Sequence, residues 1–249
     1  MFSRSSSRVF FYTLFSIIIA YYVAALGHEY GHSTTAWLLG YKKSLFDIYH
    51  KNFYLVLDEA VDYDSILASG RGRDAALIGI SGITMSTLLF LISLFSLNIK
   101  WVMRRTFWLS FFYWLADIDL MVMFQYIPNN TFTKGGDIGR FLHGLNISPL
   151  VIFIPGTLLV LLAFYRFYYY ETIKIYALLP IKTNIMRRIF LFSTFWLQIL
   201  LLIYWSPPVS YKIIAWSSQI FSILFILFIL ISCDSSRAWV KRRIEKWQY

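Results

Sequence analysis

Six apolar runs decide what this chain can fold into: residues 9–27, 75–97, 107–128, 147–165, 189–211 and 213–233. Five carry no charge, and the third carries only Asp117 and Asp119. Each is near or above the roughly 20 apolar residues that cross the hydrocarbon layer of a bilayer. In lipid the backbone has no water to bond to, so spanning segments fold as helices that satisfy their own N–H and C=O groups. The reading is an all-α polytopic membrane protein of about six transmembrane helices, a single integral membrane domain over residues 1–249. Only 14% of the residues are charged, against about a quarter in ordinary soluble proteins, and little chain remains for a separate soluble domain.

The net charge of +10 invites a nucleic-acid reading, but its placement argues against one. With a cytoplasmic N-terminus, six spans put 15 of the 23 Lys and Arg on the inner side. That is the positive-inside signature. The expected partner is therefore a lipid bilayer and not nucleic acid. Both termini are expected in the cytoplasm, in a bacterial cytoplasmic membrane rather than an organelle. The lone Cys233 excludes an internal disulfide framework. The first apolar run is longer than the core of a cleaved signal peptide, so it reads as a retained span.

The first run leads into Gly27-His28-Glu29-Tyr30-Gly31-His32. On a helix, residues i and i+4 share a face about 6 Å apart along the axis, so His28 and His32 can turn an imidazole nitrogen to one metal ion. Glu29 lies where its carboxylate can reach a metal-bound water, whose pKa zinc lowers to about 7. Only four histidines exist in the chain, and two have this spacing around a Glu. Ionisable groups near membrane depth are costly and commonly functional. Gly27 and Gly31 leave a face bare of side chains, where another helix or a substrate backbone can come close.

The helix is expected to run from about Val9 through the motif and to stop near Gly40. Residues 41–74 are the most polar stretch, and their alternation around His50 predicts a short β-hairpin, either a surface connection or an edge able to hold an extended peptide. Gly79, Gly82 and Ser86 read as a helix-packing face. Asp117 and Asp119 point to nearly opposite helix faces, and one is a candidate hydrogen-bond acceptor for a ligand histidine. A hydrolase zinc keeps three protein ligands and one open position. Asp137, on a glycine-flanked loop, is a candidate third ligand, and His143 is the competing one. The stretch 164–188 reads as an interfacial aromatic belt with basic anchors, including Tyr168, Tyr169, Tyr170, Lys174 and Arg187. The chemistry falls in a core of about residues 9–145; further transmembrane helices at about 147–233 and a basic tail at 234–249 follow.

These residues resemble the site-2 protease family of intramembrane zinc metalloproteases. His28-Glu29-Tyr30-Gly31-His32 matches the family's His-Glu-x-Gly-His at every position, and Ala36 and Gly40 fit its continuation. Gly82 to Ser86 resembles its small-residue motif in the next helix, without the usual Pro and Asn. Gln125 to Pro128 followed by Asp137-Ile138-Gly139-Arg140 resembles its third-ligand segment, with Gln for Asn, Ile for Gly and a longer gap. The resemblance covers about residues 20–145. It implies one zinc per chain held by His28, His32 and Asp137, Glu29 as the base that activates a zinc-bound water, and a transmembrane protein as substrate. Asp117, Asp119 and His143 remain as alternative ligands or groups that orient the ligands. Two other readings stand beside the endopeptidase: a membrane zinc hydrolase acting on a lipid or small amide, and a non-proteolytic homologue that binds and regulates membrane helices.

Overall fold

The structure, a computed structural model, describes residues 6–51, 56–133, 135–179, 181, 183–204, 223, 224 and 227. The basic tail and nearly all of the expected run at 213–233 lie outside the described residues, as does the end of the run at 189–211. The described chain is predominantly helical. Four stretches are helical, long and apolar enough to cross a membrane: Phe10–Leu38, Gly72–Ser96, Thr106–Pro128 and Leu150–Leu178.

Helix α1, Ser6–Leu38, runs unbroken through the histidine motif. At 1.5 Å per residue it is about 50 Å long, well beyond a hydrocarbon layer of about 30 Å. It stops where Gly40 turns to φ +82°, which lets the Tyr41 N–H return to the Ala36 carbonyl at 2.9 Å. That is a glycine-dependent helix end. Strand β1, Tyr49–Lys51, then pairs antiparallel with β2, Val56–Asp58, with His50 opposite Leu57. The short helix α2, Tyr63–Ala68, is capped by the Asp62 carboxylate, which accepts from the Ser65 N–H.

Helix α3, Gly72–Ser96, is followed by a short α4, Lys100–Arg104, and by α5, Thr106–Phe124. A π-helical turn, Gln125–Asn129, extends α5 past Pro128. Next come α6, Gly136–Leu145, and α7, Leu150–Arg166. A second π-turn, Phe167–Glu171, joins α7 to α8, Thr172–Leu178, and α9 covers Asn184–Tyr204.

Glycines let α3 lie directly against its neighbours. A Cβ on Gly31 of α1 would come within 2.6 Å of the Ser81 carbonyl oxygen, and one on Gly79 within 2.9 Å of the Asp137 carbonyl oxygen. Gly72 and Gly144 touch backbone to backbone. Small residues at such crossings bring helix axes close, and packing in lipid depends on this. Thus the bare face at Gly31 is used by another helix, and α1 and α6 are both held against α3.

Helix α5 is buried on most of its surface, in an aromatic core where Tyr113 stacks on Phe167 at 4.9 Å and Phe124 meets Phe164 at 5.1 Å. Helices α1 and α7 turn much of their apolar surface outward, at Phe10, Phe11, Phe15, Ile154, Leu158 and Leu159. Apolar exposure of this extent fits a lipid solvent, since soluble monomers rarely carry such patches.

The aromatic and basic stretch after α7 differs from the belt expected there. Tyr168, Lys174 and Arg187 are buried. Tyr168 donates to Asp117, and the buried Glu171 lies between Arg166 at 2.6 Å and Lys174 at 2.5 Å. Lys174 also donates to Asn98 at 2.6 Å. The buried charges of Glu171 and Lys174 offset each other, as buried ions require, and Arg187 Nε donates to the Ile181 carbonyl at 3.3 Å, so this segment fastens α7 and α8 inward. Tyr170 stays exposed.

Candidate metal centre

One turn of α1 and the first turn of α6 meet across α3. Because four residues close about one helical turn, His28 and His32 present their rings on one side of α1, with Nε2 atoms 3.3 Å apart. Gly136, at φ +74°, turns the chain into α6 and delivers Asp137 in its first turn. Asp137 therefore stands on a helix rather than on the expected loop; the glycines bend the entry, and Ile138-Gly139-Arg140-Phe141-Leu142 continues with an apolar side toward α3. Asp137 Oδ2 lies 2.9 Å from His28 Nε2 and 3.2 Å from His32 Nε2. All three side chains are buried.

Ligand atoms about 2.0–2.1 Å from a tetrahedral zinc stand roughly 3.3 Å apart. The triangle of two Nε2 atoms and one carboxylate oxygen approaches one face of such a tetrahedron, and the group is able to hold a metal ion. The His32 ring confirms the polarity. Its Nδ1 is 2.6 Å from the Ile78 carbonyl oxygen, which can only accept, so Nδ1 carries a proton and a neutral ring would turn its Nε2 lone pair inward. Three acceptors converging in a buried place call for a cation.

The surroundings fit the same reading. A Cβ on Gly82 would lie 2.2 Å from His32 Nε2, so glycine leaves the space the imidazole edge fills. Tyr126 stacks on the His28 ring at 5.3 Å. Glu29, the residue after His28 on α1, has a buried Oε2 with no hydrogen-bond partner, an open acceptor close enough to feel the charges of His32 and Asp137.

The polar surroundings of the centre extend from Asp137 along α6. Three residues on, the Arg140 guanidinium lies 3.7 Å over the Tyr63 ring and 3.1 Å from Glu59 Oε1. Burial works against its charge, and Tyr63, Glu59 and Asp137 around it more than restore it. The Tyr63 hydroxyl is pushed far up, by burial first and by Glu59 second. Lys42 gathers the loop by donating to the backbone carbonyls of Asp47 and Glu59.

Of the residues singled out from sequence, the structure brings together His28, Glu29, His32 and Asp137. Asp117 stands apart, bonded to Tyr168 at 2.7 Å. Asp119 faces the other way, toward Ser86 of α3. His143 is exposed on α6, outside the cluster. Sequence reasoning missed Glu59, whose carboxyl lies within hydrogen-bonding reach of Glu29; it is one acid in a polar stretch, with no spacing to mark it. It also took Ser86 for packing alone, although its hydroxyl is 3.2 Å from His28 Nδ1. Tyr126 gave no signal beyond its closeness to Gln125 and Pro128. Compared with known proteins, the chain matches no family model, no curated protein and no solved structure.

Proposed function

We propose that the chain is a multi-pass membrane zinc endopeptidase that cuts a peptide bond within or near a membrane-spanning segment of another protein. The observation that carries this reading is the buried triangle of His28, His32 and Asp137 with the Glu29 carboxyl beside it, whose Oε2 is buried and unpartnered. Zinc held by the three residues supplies Lewis acidity toward the carbonyl to be cut. Glu29 takes a proton from the attacking water and gives it to the leaving nitrogen, so that one water is consumed as the C–N bond breaks. His28 and His32 sit on a helix apolar enough to cross a membrane, which favours a substrate arriving from the bilayer. The edges of the β1–β2 pair, packed near α1, suit an extended peptide.

The test is product analysis. Purified full-length protein is reconstituted with zinc in liposomes containing a panel of single-pass helices, and products are read by mass spectrometry. New peptide ends in or beside a membrane segment, abolished by a zinc chelator, are expected. Lipid fragments without peptide ends would turn the reading to a lipid hydrolase. Helix binding without any product would turn it to a regulatory protein.

A further inference from the structure

The two histidines of the centre are oriented by different devices. His32 Nδ1 meets a backbone carbonyl and has one possible tautomer. His28 Nδ1 meets the Ser86 hydroxyl at 3.2 Å, which donates or accepts and so does not by itself choose a tautomer. For His28 Nε2 to offer a lone pair, Nδ1 must be the donor, and then the Ser86 proton needs an acceptor of its own. Three other hydroxyls of α3 turn back to helix carbonyls: Ser81 to Ile78, Thr84 to Ile80 and Thr87 to Ile83. Ser86 is fully buried and turned toward α1.

The acceptor stands behind it. Asp119 of α5 is wholly buried, and the Ser86 hydroxyl is its polar neighbour. Neither Asp119 oxygen has a hydrogen-bond partner of acceptable geometry among the described residues. A carboxylate buried in an apolar helix without a donor is expensive, and such groups usually serve a site. Asp117, two residues earlier, is engaged elsewhere, since Tyr168 donates to it at 2.7 Å.

We infer that Asp119 is a positioning residue for the metal centre, acting through Ser86: Asp119 accepts from the Ser86 O–H, Ser86 accepts from His28 Nδ1–H, and His28 Nε2 is left free for the metal. This is the carboxylate–histidine–metal arrangement with a serine inserted, supplied by three different helices. It rests on the metal reading above.

The test is zinc affinity of the purified full-length protein, by competition with a chromophoric chelator. Ser86→Ala and Asp119→Ala are each expected to weaken zinc binding about 10–100-fold. The double variant should be no weaker than the weaker single one, because one relay is broken either way. Asp117→Asn should bind as wild type does. The visible spectrum of the cobalt-loaded protein should change in Ser86→Ala and Asp119→Ala alike. Wild-type affinity in Asp119→Ala, or losses that multiply in the double variant, would overturn the relay while leaving the metal centre standing. A wild-type protein that binds no zinc would overturn the centre and the relay with it. If Asp119→Ala does not fold, Ser86→Ala decides, and unchanged affinity there overturns the relay.

Discussion

Glu29→Gln protein is expected to keep its zinc and lose proteolysis by about 10²–10⁴-fold, the range that a positioned acid–base group contributes. The substitution conserves size and leaves the His28, His32 and Asp137 atoms untouched. It removes the basic oxygen: Glu29 Oε2 is buried without a partner beside the metal triangle, and an amide there cannot take the proton of an attacking water. The check pairs metal analysis with cleavage rate on one reconstituted substrate. Wild-type cleavage with Gln at this position would remove Glu29 from the chemistry.

The second large effect is expected at a residue with no side chain. In Gly82→Ala the new Cβ would lie 2.2 Å from Nε2 of the His32 imidazole. The ring cannot retreat freely, because its Nδ1 is tied at 2.6 Å to the Ile78 carbonyl on the same face of α3, one turn before Gly82. Helix α3 thus brackets the ring, with a carbonyl on one side and an absent side chain on the other. Zinc affinity should fall on the order of 100-fold or more, as for the loss of a ligand's support, and overpacking should cost about 1–3 kcal/mol of stability. Gly135→Ala is the matched control, since a Cβ there meets nothing within 4 Å; surface changes of that kind stay within about 0.5 kcal/mol. Chelator competition and thermal unfolding of both variants read the two effects.

The parts of this molecule that could be read from sequence are those in which the physics is local. The spacing of His28 and His32 needs only a helix, and the length of an apolar run needs only the thickness of a bilayer. Asp137 is 105 residues from His32, and no periodicity links them; flanking glycines made it a candidate, and the resemblance set it above Asp117 and His143. Which candidate faces the histidines depends on how α5 and α6 rotate against α3, and close contacts at Gly31, Gly79 and Gly82 set that. Ser86 and Glu59 escaped for the same reason, since each gains its role from a partner on another element. The misread belt is different, because a local signal existed: Glu171 and Lys174 are spaced to pair on one helix face. Aromatic and basic composition pointed outward, whereas the acid in its midst marked an inward, neutralised cluster.

Zinc content per chain decides whether His28, His32 and Asp137 hold a metal ion. The measurement compares purified, zinc-resupplied wild type with Asp137→Ala and Asp117→Ala. About one zinc per wild-type chain is expected, lost in Asp137→Ala and retained in Asp117→Ala. Retention in Asp137→Ala, or a wild type that holds no transition metal, would contradict it.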